Sequence, residues 1–342
     1  MKYNYWGATG LIVSELCFGT MTFGGKGYWE AIGAQSQQEA ETLIKLAVNA
    51  GINFIDTANV YSYGESEKLL GAAIKSLGLN RSDLVIATKV RGKMGQEVNN
   101  VGLSRAHIFR SVDESLQRLQ MDHIDILYGH GVDPYTPIEE TMHAFNDLVV
   151  AGKVRYMAIC NWPAWMVMKA QGIAVKHGWN KFEGLQYYYS LAGRDVEREV
   201  LPMAVDQKLA VMPWSPLAGG FLSGKYNRNQ EKAGGNSRRD NFDFPPVNKE
   251  KAYDIIDVLI EIGKSHNASA AQIALAWVRL QSPVTSVIIG AKNEQQLNDN
   301  IKSVDINLTV EDLKKLDEVS ALPKEYPGWM VDRQSQDRKL NS

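Results

Sequence analysis

The sequence predicts an α/β protein whose strands and helices alternate and close into a (β/α)8 TIM barrel. Short apolar runs alternate with longer amphipathic segments along the chain, and the pattern contains eight such pairs. Alternation of this kind predicts a parallel sheet, and eight units close most economically into a barrel. The length of 342 residues suits one barrel with loop insertions. We therefore expect a single domain over residues 1–342.

An open, doubly wound sheet is the main structural alternative. Such a sheet normally binds a dinucleotide through G-x-G-x-x-G in its first strand-to-helix turn. Here the first predicted strand is followed by residues 19–25, Gly-Thr-Met-Thr-Phe-Gly-Gly, which lack that spacing. The barrel is therefore the favoured fold.

Each predicted strand is a short apolar run bounded by polar or glycine-containing segments. The strand candidates span residues 16–18, 53–55, 84–88, 124–128, 156–159, 184–186, 211–213 and 286–289. Before them, residues 3–13 contain Gly7 and an Ala8-Thr9-Gly10 turn between apolar positions, a pattern typical of a β-hairpin. We expect this N-terminal hairpin to plug the floor of the barrel.

The predicted helices lie between the strands. In residues 37–50 the apolar side chains recur with helical spacing, and Gly51 is a C-terminal stop signal. The other helix candidates span residues 66–77, 107–119, 138–151, 165–177, 194–207, 249–266 and 270–282. Three long connections, 24–35, 91–103 and 217–248, follow strands, so we expect them to be binding loops or lids on the catalytic face.

Composition narrows the class of protein. The chain is 44% hydrophobic and 22% charged with a net charge of -2, which fits a globular protein with a sizeable core. No excess of basic charge favours nucleic acid or anionic lipid, and no run approaches a membrane span, so we expect a small-molecule partner and a cytoplasmic location. Cys17 and Cys160 lie in apolar runs, where we expect buried thiols and no disulfide.

Polar residues suited to acid–base chemistry follow three consecutive predicted strands. Asp56 and Tyr61 come after the second strand, Lys89 after the third and His130 after the fourth. Taken singly, each has an ordinary role as a cap, a packing aromatic or a solvated strand end. Because the carboxyl ends of barrel strands meet at one face, the four side chains together predict an acid–base site. The other five histidines lie in helical or polar stretches without metal-ligand spacing, so we expect no metal site.

At this point the chain resembles the aldo/keto reductase superfamily over nearly its whole length. The motifs that carry the resemblance are Gly19-Thr20-Met21, residues 53–58 with Tyr61, Gly64-Glu65-Ser66-Glu67, Ala87-Thr88-Lys89, residues 116–130, Asn161-Trp162, residues 214–217 through 222–226, and Gly290-Ala291-Lys292 through Asn300. The resemblance implies the barrel fold and nicotinamide-dependent carbonyl reduction, with Asp56, Tyr61, Lys89 and His130 as the catalytic tetrad.

The residue types of this tetrad fit such a reaction. Hydride delivery to a carbonyl creates an alkoxide, so a proton donor must stand beside the oxygen, and Tyr61 is the expected general acid. We expect Lys89 to lower the pKa of Tyr61 toward the working range, and Asp56 to keep Lys89 charged. His130 would orient the carbonyl by a hydrogen bond.

The resemblance also implies a set of cofactor-binding residues along the carboxyl ends of the strands. They are Gly19, Thr20, Met21, Asp56, Cys160, Asn161, Gln186, Trp214, Ser215, Leu217, Gly219, Leu222, Lys225, Gly290, Lys292, Gln296 and Asn300. Trp214 stands at the position of the aromatic residue that stacks on the nicotinamide, and its flat ring suits that task. The loop after the eighth strand would bind the adenosine end, where backbone amides at a helix start favour phosphate.

Two positions depart from the family pattern. Cys160 replaces the serine that usually precedes Asn161, so we expect one contact to the carboxamide to be weakened. Gln296 replaces an arginine that often faces the 2′-phosphate of NADPH, which leaves Lys292, and Arg238 or Arg239 of the long loop, to bind it. NADPH is the expected cofactor, with NADH as the alternative.

The substrate is expected to be a small carbonyl compound that contacts Trp29, Tyr61, His130 and Trp162. Two other functions fit the same residues. In a Schiff-base aldolase Lys89 would be the nucleophile, although the Asp56 carboxylate argues against it. The other is an accessory or redox-sensing protein that keeps the barrel and its cofactor but serves a partner. The sequence does not indicate the oligomeric state, and a homo-oligomer is one of the alternatives.

Overall fold

A computed structural model describes residues 1–230, 234 and 237–337 of the protein. The strands are β1 (Tyr3–Tyr5), β2 (Ile12–Ser14), β3 (Leu16–Gly19), β4 (Phe54–Asp56), β5 (Val85–Val90), β6 (Ile124–Gly129), β7 (Val154–Cys160), β8 (Phe182–Tyr188), β9 (Ala210–Trp214) and β10 (Val287–Ile289). The helices are α1 (Gln37–Asn49), α2 (Glu65–Ser76), α3 (Arg105–Leu119), α4 (Ile138–Val150), α5 (Ala164–His177), α6 (Val200–Gln207), α7 (Arg238–Asn241), α8 (Lys249–His266), α9 (Ala270–Leu280), α10 (Glu294–Ile301), α11 (Val310–Ser320) and α12 (Gly328–Gln336).

Eight parallel strands form a nearly closed barrel. Their order in the sheet is β10-β3-β4-β5-β6-β7-β8-β9. The remaining seam, between β9 and β10, is joined by a parallel bridge of Val211 with Val284, and Thr285 N donates to Val211 O at 2.8 Å. Each predicted strand is present with its ends shifted by at most two residues. The prediction of a (β/α)8 barrel is confirmed.

The first helix illustrates how local sequence sets the element boundaries. Ser36 begins α1 as part of a capping box, in which its side chain accepts from Glu39 N and the Glu39 carboxylate accepts from Ser36 N at 2.8 Å. The apolar face is buried, and Gly51 with φ +90° ends the helix before β4. The predicted helix 194–207 is interrupted instead. A 3-10 turn at Asp195–Glu197 precedes α6, because Glu199 has non-helical backbone angles.

The N-terminal hairpin of β1 and β2 closes one end of the barrel, as predicted. The two strands pair in antiparallel register, and Trp6 follows β1 with no exposed surface. The Trp6 ring contacts Phe54 and Tyr128 edge-on, at centroid distances of 5.6 and 6.3 Å. It also approaches Gly184 so closely that a Cβ there would lie 2.1 Å from the indole. Trp6 therefore fills the barrel interior on the side opposite the catalytic loops.

Two apolar layers surround the strands. A small cluster inside the barrel includes Trp6, Cys17, Tyr128 and Cys160, and a larger one lies between the strands and the helices. Both cysteines are buried and unpaired. Within the described part of the chain, no helix is long and apolar enough to cross a membrane.

Candidate active site

The four predicted tetrad residues lie at one end of the barrel because of strand register. Asp56 closes β4, Lys89 is the penultimate residue of β5, and His130 directly follows β6. In the parallel ladder Asp56 pairs with Ala87, and Lys89 pairs with Tyr128. Since the strands are parallel, their carboxyl ends share one face of the barrel.

Lys89 is the centre of the hydrogen-bond network at this face. Its Nζ donates to Asp56 Oδ2 at 2.5 Å, to the carbonyl oxygen of Thr57 at 2.7 Å and to the Tyr61 hydroxyl at 3.2 Å. Gln186 Nε2 donates to the other carboxylate oxygen of Asp56 at 2.9 Å. The three donor positions of the ammonium and both oxygens of the carboxylate therefore have partners.

The charges of this network follow from its burial. Burial works against the Lys89 ammonium and is the largest single effect, but the Asp56 carboxylate together with Tyr61 and Cys160 outweighs it, so the pKa of Lys89 lies above its ordinary value. Burial also raises the pKa of Tyr61, and the Lys89 cation offsets this only in part. The expected net lowering of the Tyr61 pKa is therefore wrong for the free protein. Tyr61 is a protonated phenol beside a charged ammonium.

His130 lies next to Tyr61 at this face of the barrel. Its ring centroid is 5.8 Å from that of Tyr61, edge to face, and the side chain is half-buried. Removal from water, together with the Lys89 and Arg91 cations, holds the pKa of His130 well below its ordinary value. The imidazole is therefore neutral at physiological pH, and one of its nitrogens carries a proton that it can donate.

Tyr61 is presented on an unusual turn. The 3-10 turn Tyr61–Gly64 contains Ser62, Tyr63 and Gly64 with φ of 48°, 54° and 91°. Left-handed angles at non-glycine residues are uncommon and cluster at functional sites. Ser62 Oγ donates to Phe23 O at 2.9 Å and accepts from Gly25 N at 2.9 Å. The turn is thereby tied to the first long loop.

A cavity of about 1180 Å³ extends from the tetrad across the carboxyl ends of the strands. The predicted site residues that line it are Asp56, Tyr61, His130, Gly19, Met21, Asn161, Gln186, Trp214, Ser215, Leu217, Gly219, Lys225, Gly290, Lys292, Gln296, Asn300 and Trp29. Residues of the first and third long loops line the cavity, whereas none from the second loop, 91–103, does. Residues 231–233, 235 and 236 of the third loop lie outside the described residues.

Five predicted site residues do not line the cavity. Lys89 lies beneath it, where it bonds to Tyr61. Thr20 is buried and hydrogen-bonds to Asp56 O and Ser66, Leu222 is a buried residue of the third loop, and Cys160 is buried within the barrel. Trp162, 2% exposed, packs edge-on against Phe182 and donates Nε1 to Gly131 O at 3.0 Å. The structure therefore has Trp162 in the core and not in the cavity wall.

Comparison with known proteins identifies the family. The model of the aldo/keto reductase family matches residues 15–321. The chain belongs to this family. Versiconal hemiacetal acetate reductase of Aspergillus parasiticus is 34% identical over 96% of this chain and 99% of its own length. A putative aryl-alcohol dehydrogenase of Schizosaccharomyces pombe is 34% identical, over 92% and 95%. A probable voltage-gated potassium channel subunit beta of Arabidopsis thaliana is 35% identical, over 90% and 92%.

In this aldo/keto reductase family member, Trp214 is held by contacts on several sides. Its Nε1 donates to Asn161 Oδ1 at 3.0 Å, and Tyr188 packs against it at 5.2 Å. Phe244 of the third loop stacks on it at 5.6 Å, with an angle of 9° between the rings. Trp214 and Phe244 both line the cavity whereas Tyr188 does not, so the Phe244 ring packs against Trp214 on the cavity side. A ligand ring that stacks on the part of Trp214 contacted by Phe244 must displace Phe244.

The two neighbouring arginines of the third loop have different surroundings. Arg239 is buried and donates to Ala218 O at 2.8 Å and Pro245 O at 2.9 Å, so it holds the loop together. Arg238 lines the cavity, and its Nε is buried without a hydrogen-bond partner among the described residues. Burial lowers the pKa of Arg238, and burial together with the Arg238 cation lowers the pKa of Lys292. Two cations thus face this part of the cavity.

Sequence reasoning missed several residues of the cavity wall. Phe242 and Phe244 connect the third loop to the first, since Phe242 lies 6.2 Å from Tyr28 and 5.7 Å from Phe244 between ring centroids. Asp299 also lines the cavity, on α10. The sequence feature that could have identified Phe242 and Phe244 is the occurrence of two phenylalanines in a loop otherwise rich in Gly, Asn and Arg. Among the described residues, no group of His, Cys, Asp and Glu could hold a metal ion.

Proposed function

We propose that the protein is an NADPH-dependent carbonyl reductase that converts an aldehyde or ketone to an alcohol, with Tyr61 as general acid. The observation that carries this proposal is the hydrogen bond between the Lys89 ammonium and the Tyr61 hydroxyl, 3.2 Å long, at the head of a cavity of about 1180 Å³. A buried phenol beside a fixed cation is a proton donor whose conjugate base is stabilised in advance.

The cavity fits a nicotinamide dinucleotide by its size and by the side chains along it. Trp214 would stack on the nicotinamide, Asn161 and Gln186 would bind its carboxamide, and Lys225 would meet the pyrophosphate. When bound, the reduced nicotinamide supplies the hydride. Arg238 supports the fit, because its guanidinium faces the cavity without an acidic partner among the described residues. A half-buried cation of this kind is stabilised when a phosphate binds.

The protein's own groups would handle the proton and the orientation of the carbonyl. Tyr61 gives its proton to the carbonyl oxygen, and Lys89 stabilises the phenolate that remains. Asp56 keeps Lys89 charged and aimed through the contact at 2.5 Å. Neutral His130 donates a hydrogen bond to the same oxygen and fixes its position.

NADPH is favoured over NADH by the two cations near the loop after β10. Gln296 is engaged locally, because its Oε1 accepts from Lys292 N at 2.9 Å. Lys292 and Arg238 are therefore the groups that would bind the 2′-phosphate, and Arg239, which holds the loop, is not. Two positive charges in a half-buried site favour a dianionic group between them.

The substrate is proposed to be a flat carbonyl compound. Tyr28, Trp29 and Phe242 form an aromatic wall next to Tyr61, in which Trp29 lies 5.4 Å from the Tyr61 ring. Such walls favour planar rings. A relative named as a putative aryl-alcohol dehydrogenase is consistent with this class.

Two other functions have less support. Lys89 has three hydrogen-bond partners, no exposed surface and a raised pKa, which disfavours a Schiff-base nucleophile. An accessory or sensor role is favoured by the relatives named as channel subunits, of which one is 35% identical. Turnover distinguishes it, since a sensor would hold the cofactor without cycling.

The test follows NADPH absorbance with aromatic aldehydes, diketones and aliphatic aldehydes, for the wild type and Tyr61→Phe. We expect oxidation of NADPH by the wild type and a loss of at least about 10²-fold in kcat for Tyr61→Phe, because general acid catalysis contributes roughly that much. The Kd for NADPH should stay within about twofold, since the phenyl ring keeps its packing. Tight binding without turnover on any carbonyl would favour the accessory role.

A further inference from the structure

The first turn of α2 is hydrogen-bonded to the residues that follow two neighbouring barrel strands. This turn carries Ser66, which belongs to the Gly64-Glu65-Ser66-Glu67 motif and is fully buried. Ser66 Oγ donates to Thr20 O at 2.8 Å, and it lies 2.8 Å from Thr20 Oγ1 and 3.0 Å from Thr57 Oγ1. Thr20 follows β3 and Thr57 follows β4, directly after Asp56.

Glu67 fastens the same turn to the next strand. Thr88 Oγ1 of β5 donates to Glu67 Oε1 at 2.6 Å, and Arg118 Nε of α3 donates to Glu67 Oε2 at 2.6 Å. The Glu67 side chain has no exposed surface, whereas that of Arg118 is 14% exposed. Both carboxylate oxygens thus have a partner, and a buried, fully bonded charge pair of this kind resists displacement.

These contacts join the segments that carry Lys89 and Tyr61. Thr88 directly precedes Lys89, and because side chains alternate along a strand, Thr88 faces α2 while Lys89 faces the barrel interior. Tyr61 lies in the turn that leads into α2. In that turn Gly64 adopts φ +91°, and a Cβ there would lie 2.7 Å from Arg118 Cδ. The glycine therefore allows the chain to pass close to the partner of Glu67.

We propose that Glu67 is a positioning residue, which through Thr88 and Arg118 keeps Lys89 Nζ within hydrogen-bonding distance of the Tyr61 hydroxyl. The inference rests on the proposed function, because the Lys89–Tyr61 distance matters only if Tyr61 transfers a proton. Catalytic groups must be held to within about 0.5 Å of their working geometry. A misplacement of about 1 Å can cost roughly 10²-fold in rate.

Thr88→Val tests this role, because it keeps the shape of the side chain and removes the hydroxyl that bonds to Glu67. Thr88→Ser, which keeps the hydroxyl, is the conservative rescue. Thr141→Val is the matched control, since Thr141 is 1% exposed on α4 and its hydroxyl donates to Leu103 O at 3.0 Å. The measurements are kcat, the KM values, thermal stability and the pH profile of alcohol oxidation.

We expect Thr88→Val to lower kcat about tenfold or more with the KM for NADP+ nearly unchanged, as for a displaced catalytic group. The apparent pKa of alcohol oxidation should move to higher pH, because a less well placed Lys89 stabilises the Tyr61 phenolate less. Thr88→Ser should restore both values. Thr141→Val should lose comparable stability without either change.

A Thr88→Val variant with the wild-type kcat and pH profile would overturn the positioning role and leave the proposed function intact. Absence of turnover by the wild type would overturn the proposed function, and the positioning role with it. If Thr88→Val does not fold, Glu67→Gln is the second variant. It weakens the Arg118 contact, while its amide oxygen can still accept from Thr88, and its pH profile should shift in the same direction. An unshifted profile would again refute the positioning role.

Discussion

Lys89 Nζ lies 2.5 Å from Asp56 Oδ2 in an ion pair closed to water, with side chains that are 0% and 4% exposed. Such a pair adds little net stability, because removing both charges from water costs about as much as their attraction returns. Its consequence for the site is larger. Asp56 keeps Lys89 charged, and the Lys89 ammonium lies against the Tyr61 hydroxyl in a medium where charge interactions are strong.

Replacement of Lys89 should separate stability from activity. Lys89→Met leaves the Asp56 carboxylate buried and unpaired, so we expect the free energy of unfolding to fall by about 3–5 kcal/mol. The double variant Asp56→Asn/Lys89→Met removes both charges and should be more stable than Lys89→Met alone. Both variants should lose roughly 10²- to 10³-fold in kcat, as when a fixed electrostatic donor is removed. Urea denaturation and steady-state kinetics measure these effects.

The double variant is the control in that experiment. If it were as unstable as Lys89→Met, the loss would come from packing and not from an unpaired charge. If it kept activity, the ammonium would not act on Tyr61.

The low pKa of His130 predicts a loss of stability in acid. The folded pKa lies well below the unfolded value of about 6.5, so the unfolded state binds more protons between these two values. The contribution of neutral His130 to the free energy of unfolding is therefore complete above about pH 6.5. It is lost as the pH falls toward the folded pKa, by at most about 1.4 kcal/mol per pH unit.

His130→Gln should remove this contribution, so we expect the difference in unfolding free energy between pH 7 and pH 5 to be smaller than in the wild type. Buried His107 also has a lowered pKa, so some acid sensitivity should persist in the variant. Urea denaturation at the two pH values gives the comparison. An identical pH dependence of variant and wild type would mean that His130 is not held neutral by the fold.

The convergence of Asp56, Tyr61, Lys89 and His130 could be predicted from sequence because parallel strands bring their carboxyl ends to one face, whatever their side chains are. The loops are different. Trp29 and Trp162 both follow strands, yet only Trp29 faces the cavity, while Trp162 turns into the core to reach Gly131 O. Arg238 and Arg239 are adjacent, and their orientations depend on how the third loop folds back on Ala218 and Pro245. The orientations of these loop side chains depend on tertiary contacts, which the periodicity of the sequence does not encode.

The net pKa of Tyr61 escaped prediction for a related reason. Sequence indicates that Lys89 is a neighbour but not how little water reaches the phenol, and burial has the larger effect on its pKa. The stacking of Phe244 on Trp214 also joins residues 30 positions apart in the chain.

Arg238→Met should weaken NADPH binding more than NADH binding. A charged hydrogen bond to phosphate contributes about 1.5–3 kcal/mol, so we expect the Kd for NADPH to rise by roughly 10- to 100-fold. The Kd for NADH should change by less than about threefold, because NADH lacks the 2′-phosphate. Fluorescence titration of both cofactors provides the values.

Arg228→Met is the matched control for that variant. Arg228 precedes the same stretch of the third loop, but it pairs with Asp254 at 2.6 Å and Asp257 at 3.0 Å on the outside of α8. It should leave both Kd values unchanged. An equal loss of NADH and NADPH affinity in Arg238→Met would assign Arg238 to the pyrophosphate.

Replacement by alanine should have opposite effects on stability at two glycines, Gly184 beside the barrel plug and Gly172 on the open surface of α5. Gly184→Ala would place a Cβ 2.1 Å from the Trp6 indole, so we expect a loss of about 1–3 kcal/mol in the free energy of unfolding from overpacking. Gly172→Ala lies on α5 with no atom within 4 Å of the new Cβ, and should stabilise the protein by about 0.5–1 kcal/mol through helix propensity. The smaller ring of Trp6→Phe should relieve the strain, so Gly184→Ala should cost less in that background than in the wild type. Urea denaturation of the wild type, Trp6→Phe, Gly184→Ala and the double variant forms a double-mutant cycle, and Gly172→Ala is a separate control. Strictly additive effects of Trp6→Phe and Gly184→Ala would show that the two residues do not compete for the same space.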